Sequence, residues 1–166
     1  MVSLAYGIHP SPFGPCFLVL ENSRIVWLSF LPRPSALRQI FGRLKKEYPG
    51  AFFSQAPCRT ERMIKRIFGR PTENPKRVSP RGTVFQKQVW KSLQTIPFGR
   101  TCSYQELARR IGRPKAVRAV AGAVAENPIA YAIPCHRVIH KDGNVCGYRW
   151  GTSMKKTILS WEASRC

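Results

Sequence analysis

The sequence predicts an α+β fold: an N-terminal α/β domain with a small antiparallel sheet, joined to a mostly helical C-terminal domain that contains a helix-turn-helix. Near the N-terminus, two alternating apolar segments over residues 16–20 and 24–31 flank a polar turn, which is typical of a β-hairpin. In the second half, apolar residues follow two capping-box sequences at helical spacing. The Gly- and Pro-rich stretch 69–75 lies between these regions and predicts a linker. We therefore expect one domain over residues 1–75 and another over residues 76–166.

Two helices are expected to follow the hairpin. The first covers residues 35–48 and ends at Pro49 and Gly50, which interrupt helices. The second begins near Thr60, whose hydroxyl suits an N-cap, and continues to Phe68. No residue before position 80 belongs to a pattern associated with chemistry, so we interpret the first half as a scaffold.

The second half opens with two helices whose N-termini are marked by capping boxes. Thr83 with Gln86 begins a helix that continues to about Thr95, and Ser103 with Glu106 begins the next. In each pair the hydroxyl residue and the residue three positions later can satisfy each other's backbone N–H groups. These two boundaries are therefore predicted from local chemistry alone.

A short turn separates the second of these helices from a third. Gly112 suits the position after a helix C-cap, and Pro114 suits the first position of a helix over residues 115–125. Together they form a helix-turn-helix pattern. One side of the third helix carries Val117, Val120, Ala121 and Val124, and the other carries Lys115, Arg118, Gly122 and Ala125. Because a cation among small residues allows a phosphodiester backbone to approach closely, we favour a DNA-facing surface over an ordinary solvated face.

Charge is the strongest signal in the composition. The chain has 28 Lys and Arg against 8 Asp and Glu, a net charge of +20, with both halves strongly basic. Such a charge attracts polyanions, of which nucleic acid is the commonest, although a basic proteome or an anionic membrane surface are alternatives. No apolar run is long enough to span a membrane, and the N-terminus lacks a signal-peptide pattern. We therefore expect no membrane partner and a cytoplasmic location.

The six cysteines predict neither a disulfide framework nor a metal site. Nothing in the sequence indicates an oxidising compartment, and no Cys-x-x-Cys pair announces structural zinc. We therefore predict no metal ion. Most of the cysteines are expected to be small buried hydrophobes, and at least one is a candidate nucleophile.

The densest chemistry lies at Cys135, His136 and Arg137. A thiol with an ordinary pKa of about 8.5 is only a few per cent ionised at neutral pH, so a nucleophilic cysteine needs a base or a cation nearby. In an extended strand, Cys135 and His136 would point to opposite faces, so we expect contact through a turn or one bridging water. The imidazole would itself need an orienting carboxylate.

Glu162 is the candidate for that carboxylate. Glu106 belongs to its capping box, Asp142 serves a turn, and Glu126 ends the helix that we expect to face phosphate. Glu162 instead lies at the edge of the apolar face of the last helix, where a carboxylate is costly unless it has a partner. From spacing alone, the alternative that Glu162 is exposed and Cys135 merely buried stays open.

Several motifs in order resemble the O6-alkylguanine-DNA alkyltransferase family, the methylated-DNA–protein-cysteine methyltransferases. The matching segments are Arg81–Gln86, Ser103–Leu107, Lys115–Val120, Asn127-Pro128 and Pro134–Val138, so the resemblance covers roughly residues 81–165. The stretch Gly147–Gly151 is similar to the Ada-type bacterial branch. No metal-sensing cysteine module of the kind found in Ada-type proteins is expected ahead of residue 80.

The resemblance implies a suicidal repair reaction without a cofactor. Cys135 would accept an alkyl group from O6 of guanine, and from O4 of thymine, after His136 and Glu162 form its thiolate through a water. Tyr104 would donate a hydrogen bond to the leaving guanine. Because a thioether is a poor leaving group, one molecule would repair one lesion.

The resemblance also implies how DNA is bound. A monomer would hold double-stranded DNA through its minor groove and turn the alkylated guanine out of the helix, with Arg118 in the vacated space. Asn127 would brace the turn before the Cys135 strand. Further substrate contacts are implied for Val138, Tyr148 and Arg149, and DNA contacts for Arg113, Lys115, Ala119 and Gly122.

Two large residues depart from the family pattern. The position of Arg149 is small in some members and that of Trp150 is often Gly, so we expect a narrow pocket that prefers methyl over bulky groups and resists benzylguanine-type compounds. Three rival interpretations stay open: a non-catalytic lesion-binding relative, a helix-turn-helix DNA-binding regulator with a structural Cys135, and a cysteine hydrolase acting on acyl substrates.

Overall fold

A computed structural model describes residues 2–69, 75, 77–145 and 147–166. The strands are β1 (Ser3–Ser11), β2 (Gly14–Glu21), β3 (Arg24–Phe30), β4 (Phe52–Gln55), β5 (Cys102–Ser103) and β6 (Val138–Ile139). The helices are α1 (Ser35–Glu47), α2 (Pro57–Gly69), α3 (Val84–Leu93), α4 (Tyr104–Arg110), α5 (Val117–Ala125) and α6 (Thr152–Ala163), with a 3₁₀ turn at Cys135–Arg137. The predicted α+β class, with a small N-terminal sheet and a mostly helical second half, is confirmed.

The N-terminal sheet has the strand order β3-β2-β1-β4. The pair β2–β3 is antiparallel, as predicted for the hairpin; β1 adds an antiparallel strand to β2, and β4 adds a parallel edge to β1. The central residues of β2 and β3 are buried because both faces of the sheet are covered. One face packs with α1 around Trp27 and Leu44, and the other joins a larger core that includes Trp90 and Ile158 of the second half.

Three N-terminal elements differ from the sequence predictions. Strands β1 and β4 were not predicted, since β4 is short and pairs with a strand about 50 residues away. Helix α2 begins at Pro57 rather than near Thr60. Thr60 is not an N-cap: its buried hydroxyl donates to the carbonyls of Ala56 and Pro57 and bonds to His9 Nε2 at 2.7 Å.

Both predicted capping boxes are present in the second half. The Thr83 hydroxyl accepts from Gln86 N at 3.1 Å while Gln86 Oε1 accepts from Thr83 N at 2.9 Å, and Ser103 and Glu106 repeat the arrangement. Gly112 follows α4 with φ of 72°, the left-handed conformation expected after a C-cap.

The third helix starts later than predicted. Pro114 is not its first residue, because α5 begins at Val117 after an N-cap, Ala116, that makes no side-chain cap. The buried face of α5 consists of Val120, Ala123 and Val124. The prediction that Ala121 packs on the core was wrong: Ala121 lies along a cleft, whose lining is described below.

Two pairings hold the second half against the sheet and against itself. Leu28 N of β3 donates to Pro128 O at 3.1 Å, and Ala130 N donates to Leu28 O at 2.7 Å. Strand β5 pairs in parallel with β6, placing Cys102 opposite Val138. The segment 127–138 is therefore fixed from both sides. The predicted linker and the boundary at residue 75 fall largely on positions 70–74 and 76, outside the described residues.

Candidate active site

Cys135 lies in a 3₁₀ turn rather than in an extended strand. The sequence predicts contact between Cys135 and His136 through a turn or one bridging water. In such a turn, the side chains of Cys135 and His136 need not point to opposite faces, as they would in a strand. The Cys135 side chain is buried, with 4% of the residue exposed. Asn127 Nδ2 donates to Cys135 Sγ at 3.1 Å and also to the carbonyl of Ile133 at 2.8 Å. Asn127 therefore braces the turn, as the resemblance implied, and contacts the thiol as well.

The thiol environment favours the protonated form. Burial raises the pKa of the Cys135 thiol to about 11, against the opposing effects of the Asn127 hydrogen bond and the positive charge of Lys155. A pKa of 11 leaves about one thiol in ten thousand ionised at pH 7. In this structure, Cys135 is a protonated thiol, and it becomes a nucleophile only if a base removes its proton.

His136 and Glu162 form the predicted imidazole–carboxylate pair. His136 Nε2 and Glu162 Oε1 are 2.8 Å apart, and neither residue is exposed. Burial alone would raise the pKa of Glu162, but hydrogen bonds from His136 and Arg137 outweigh it and hold the pKa at about 2. Because an ionised carboxylate only accepts hydrogen bonds, Nε2 must carry the proton.

The other imidazole nitrogen is therefore a free base. Burial lowers the pKa of His136, so the ring is neutral. Among the described residues, its buried Nδ1 has no hydrogen-bond partner. A neutral imidazole that donates through Nε2 has a lone pair on Nδ1, which can accept a proton.

Arg137 and Lys155 are two buried cations that the sequence did not predict to be buried. Arg137 Nε and Nη2 grip the Glu162 carboxylate at 2.9 and 2.8 Å, and Nη1 donates to Ile96 O at 2.7 Å. Lys155 Nζ donates to Val138 O at 2.6 Å. The buried face of α6 is Lys155, Ile158 and Glu162, so Glu162 sits within that face rather than at its edge. The helical spacing of 155, 158 and 162 was the signal available in the sequence.

Tyr131 is a further residue that the motifs did not identify. Its ring stacks on His136 with 5.6 Å between ring centroids and 8° between planes. Its backbone has φ of 61°, an uncommon conformation for a residue with a side chain. Such strain persists only where surrounding contacts enforce it, which here keeps the imidazole plane fixed.

A cleft of about 1030 Å³ lies beside this site. Its wall along α5 consists of Val117, Arg118, Ala121 and Ala125. The rest of the lining includes Tyr104, whose ring centroid lies 5.4 Å from that of His140, and the loop residues Tyr148 and Arg149. Cys135 does not line the cleft, but Tyr148 and Arg149 are near enough for the thiol to influence their pKa values.

The remaining predicted residues are distributed around the cleft. Lys115 lines it, whereas Arg113, Ala119 and Gly122 are exposed outside the lining. Trp150 does not line the cleft, because its indole Nε1 donates to Ser29 Oγ of β3 at 2.7 Å.

Glu126, which ends the helix that was expected to face phosphate, is an exposed residue that forms an ion pair with the first half of the chain. Glu126 Oε2 accepts from Arg43 Nη2 of α1 at 2.8 Å, so its charge is neutralised by the protein itself.

Three structural findings bear on other classes of function. In the part of the chain that the structure describes, no group of three or more His, Cys, Asp or Glu side chains could hold a metal ion. His9 bonds to Thr60, and Cys16 Sγ donates to the carbonyl of His9 at 3.3 Å. No helix within the described ranges is long and apolar enough to cross a membrane.

The site combines a buried cysteine with an imidazole–carboxylate pair. It lies next to a cleft walled by the second helix of a helix-turn-helix. The class of protein so defined has a candidate cysteine nucleophile on a helix-turn-helix scaffold. Residues 84–164 match the family model for the DNA-binding domain of 6-O-methylguanine DNA methyltransferase. The methylated-DNA–protein-cysteine methyltransferase of Methanosarcina acetivorans is 37% identical over 96% of this chain and 98% of its own length. The chain belongs to this family.

Two other relatives extend the comparison. The bifunctional transcriptional activator/DNA repair enzyme Ada of Escherichia coli K12 is 40% identical over 98% of this chain, which spans 46% of that protein. The predicted similarity to Ada-type proteins is confirmed, and the chain covers about half of their length. A crystal structure of Mycobacterium tuberculosis OGT in complex with DNA superposes with a TM-score of 0.77 at 35% identity, covering 99% of this chain and 95% of that one.

Proposed function

We propose that this protein repairs alkylated DNA by transferring the alkyl group from O6 of guanine, or O4 of thymine, irreversibly to Cys135 Sγ. One observation carries the proposal: a buried thiol lies in the same turn as a neutral histidine whose free nitrogen can take a proton and whose other nitrogen is held by an ionised glutamate. The names of its full-length relatives support the same reaction.

The reaction begins with loss of the thiol proton. His136 Nδ1 accepts it, directly or through one water, and Glu162 stabilises the imidazolium that results. Cys135 Sγ then forms a bond to the alkyl carbon as the bond from that carbon to O6 breaks, and guanine leaves with the electron pair. A hydrogen bond from Tyr104 would stabilise the negative charge on the leaving base. No group in this scheme restores the thioether to a thiol, so each molecule acts once and needs no cofactor.

DNA is the proposed partner, bound through the helix-turn-helix. The cleft is as large as a typical ligand pocket, which is room for an everted purine. Arg118, exposed at the cleft wall on α5, would fill the gap that the base leaves in the duplex. The small exposed residues Ala119 and Gly122 suit close approach along the minor groove, where little sequence is read. Arg113 and Lys115 would bind phosphates.

The proposed substrate range is narrow. Arg149 lines the cleft beside the thiol, so it would exclude bulky groups and favour methyl. Trp150 would contribute indirectly, since its indole is fastened to Ser29 and packs against Tyr148 with 5.2 Å between ring centroids.

The state and place of action complete the proposal. We expect a monomer made of two domains, divided near residue 75, that acts where the cell keeps its DNA: the cytoplasm, or the nucleus in a eukaryote.

Mass measurement tests the proposed function directly. The protein is incubated with excess duplex containing one O6-methylguanine, and the intact protein and its peptides are weighed. We expect a gain of one methyl group per protein molecule on the Cys135 peptide and no further gain with time. The Cys135→Ala variant should gain nothing yet bind DNA as before, because the thiol makes no phosphate contact. Cys58→Ala, at an exposed cysteine of the first half, should gain one methyl. An unmodified wild-type protein that still binds the duplex would favour the DNA-binding regulator.

Arg118→Ala tests the extrusion step separately. The variant should repair the duplex more slowly, while its reaction with the free base O6-methylguanine should change little. Single-turnover rates on the two substrates provide the comparison, and an equal loss on both would argue against a role in extrusion.

A further inference from the structure

Arg43 connects helix α1 of the first half to the end of the DNA-facing helix. Its side chain is half-buried, with Nε donating to Glu47 Oε1 and Nη2 donating to Glu126 Oε2, each at 2.8 Å. Glu47 is one turn further along α1, and Glu126 is the C-cap of α5. A single surface ion pair would contribute little. Here one guanidinium bonds two carboxylates that come from different halves of the chain.

The same region contains the cleft residue Arg149. The guanidinium carbons of Arg43 and Arg149 both lie 5.4 Å from the centroid of the Trp27 ring, which is buried in β3. Arg149 Nη1 also donates to Asn127 O, at a long 3.3 Å. The Arg149 guanidinium carbon also lies 5.8 Å from the centroid of the Trp150 ring, so two aromatic rings and one weak hydrogen bond hold Arg149 at the cleft.

The charges around Arg43 also affect the pKa of Arg149. Burial lowers the pKa of Arg149, as does the positive charge of Arg43, whereas the carboxylates of Glu126 and Glu47 act in the opposite direction. The two glutamates therefore attract Arg149 already. In the present arrangement Arg43 bonds one oxygen of each carboxylate, which weakens their attraction for Arg149 and leaves Arg149 at the cleft.

We propose that Arg43 is a positioning residue that keeps Glu47 and Glu126 paired with itself, so that Arg149 stays over Trp27 at the cleft and limits the size of the alkyl group accepted. The inference rests on the proposed function, since it concerns the group that Cys135 would receive. Fixing a long arginine side chain costs about 2 kcal/mol of rotamer freedom. The weak contacts that hold Arg149 must offset this cost, so a stronger partner nearby would move the side chain. Without Arg43, the freed Glu126 carboxylate is such a partner.

Substrate-size preference provides the test. Single-turnover rates are measured on two duplexes, one containing O6-methylguanine and the other O6-benzylguanine, and the benzyl/methyl rate ratio is compared between variants. Because each ratio is taken within one protein, changes in DNA affinity common to both duplexes cancel. We expect Arg43→Gln to raise the ratio roughly fivefold or more, a factor that corresponds to ~1 kcal/mol.

Three further variants separate positioning from general damage. Arg43→Gln combined with Glu126→Gln should return the ratio towards wild type, because one of the two carboxylates that attract Arg149 is gone. In an Arg149→Ala background, which itself raises the ratio, Arg43→Gln should have no further effect. Arg38→Gln removes an exposed arginine from the same helix and should leave the ratio unchanged.

The outcomes distinguish this inference from the proposed function. A wild-type protein that transfers methyl, with the same ratio in Arg43→Gln as in wild type, would overturn the positioning role and leave the repair function standing. An additive effect of Arg43→Gln in the Arg149→Ala background would also overturn it. A wild-type protein that accepts neither the methyl nor the benzyl group would contradict both the positioning role of Arg43 and the proposed repair function.

Discussion

The two halves of this protein bury different kinds of side chain. In the second half, the described core contains three charged residues, Arg137, Lys155 and Glu162, together with the neutral His136. The buried polar residues described in the first half are His9, Ser29 and Thr60, and the rest of its core is apolar or aromatic. Buried charges are costly unless each has a partner, so they mark the half whose core serves chemistry as well as stability.

The comparison does not make the first half a passive support. Strand β3 contacts the site at three successive residues: Trp27 beside Arg149, Leu28 bonded to the segment before Cys135, and Ser29 bonded to Trp150. The proposed reacting groups come from one half, and several of the contacts that fix their surroundings come from the other. The first half therefore acts as a scaffold through specific residues of β3.

The largest effect is expected where the charged core is broken. Glu162→Gln leaves the Arg137 guanidinium buried without its carboxylate, which typically costs about 3–5 kcal/mol. We expect the free energy of unfolding in urea to fall by that order and the methyl-transfer rate to fall with it, since His136 loses the group that orients it. Glu61→Gln, at an exposed ion pair of α2, is the matched control and should change stability by less than about 1 kcal/mol. Similar losses in the two variants would contradict the contrast between the halves.

Acid should weaken the same core. The pKa of Glu162 is held at about 2, below its ordinary 4.5, so its contribution is complete above pH 4.5 and is lost as pH falls towards 2. Burial also lowers the pKa of His136 from 6.5, so the folded state resists protonation and loses stability as pH falls below 6.5. For Glu162 the shift corresponds to on the order of 3 kcal/mol. Unfolding free energies measured between about pH 7 and pH 3 should decline, and the decline below pH 4.5 should be shallower in Glu162→Gln. An unchanged slope in that variant would assign the acid sensitivity to other groups.

The smallest effect is expected at the contact between the halves. Ser29→Ala removes the acceptor of the Trp150 indole N–H and should cost about 1 kcal/mol of unfolding free energy, as for a typical hydrogen bond. Ser160→Ala, on the exposed side of α6, should change stability by less than about 0.5 kcal/mol. Thermal or urea unfolding of the two variants side by side measures the difference. A Ser29→Ala protein as stable as Ser160→Ala would show that the indole contact is dispensable.

What the sequence could predict follows the range of the interactions involved. The capping boxes at Thr83 and Ser103 depend on residues three positions apart, so they were found without the fold. Glu162 was identified because a carboxylate on an apolar helix face requires a partner. Strand β4 was missed because its pairing with β1 depends on residues distant in the chain.

The missed residues of the site have the same explanation. Arg137 and Lys155 are buried because the carbonyls of Ile96 and Val138 accept from them, and only the folded chain brings these groups together. The late start of α5 after Pro114 reflects a turn that no local capping residue announces. Arg43 carried no motif at all, because its partners Glu126 and Trp27 come from different elements.

The central claim is that Cys135 is kept as a thiol until a substrate allows His136 to take its proton. The rate at which iodoacetamide alkylates Cys135 in the free protein, followed by peptide mass spectrometry, tests this claim because that reagent reacts with the thiolate. With the pKa at about 11, we predict a rate that rises tenfold per pH unit from about pH 6 to pH 10 without a plateau. A rate that levels off near neutral pH would mean that the thiol is already ionised in the resting protein, and would contradict the account.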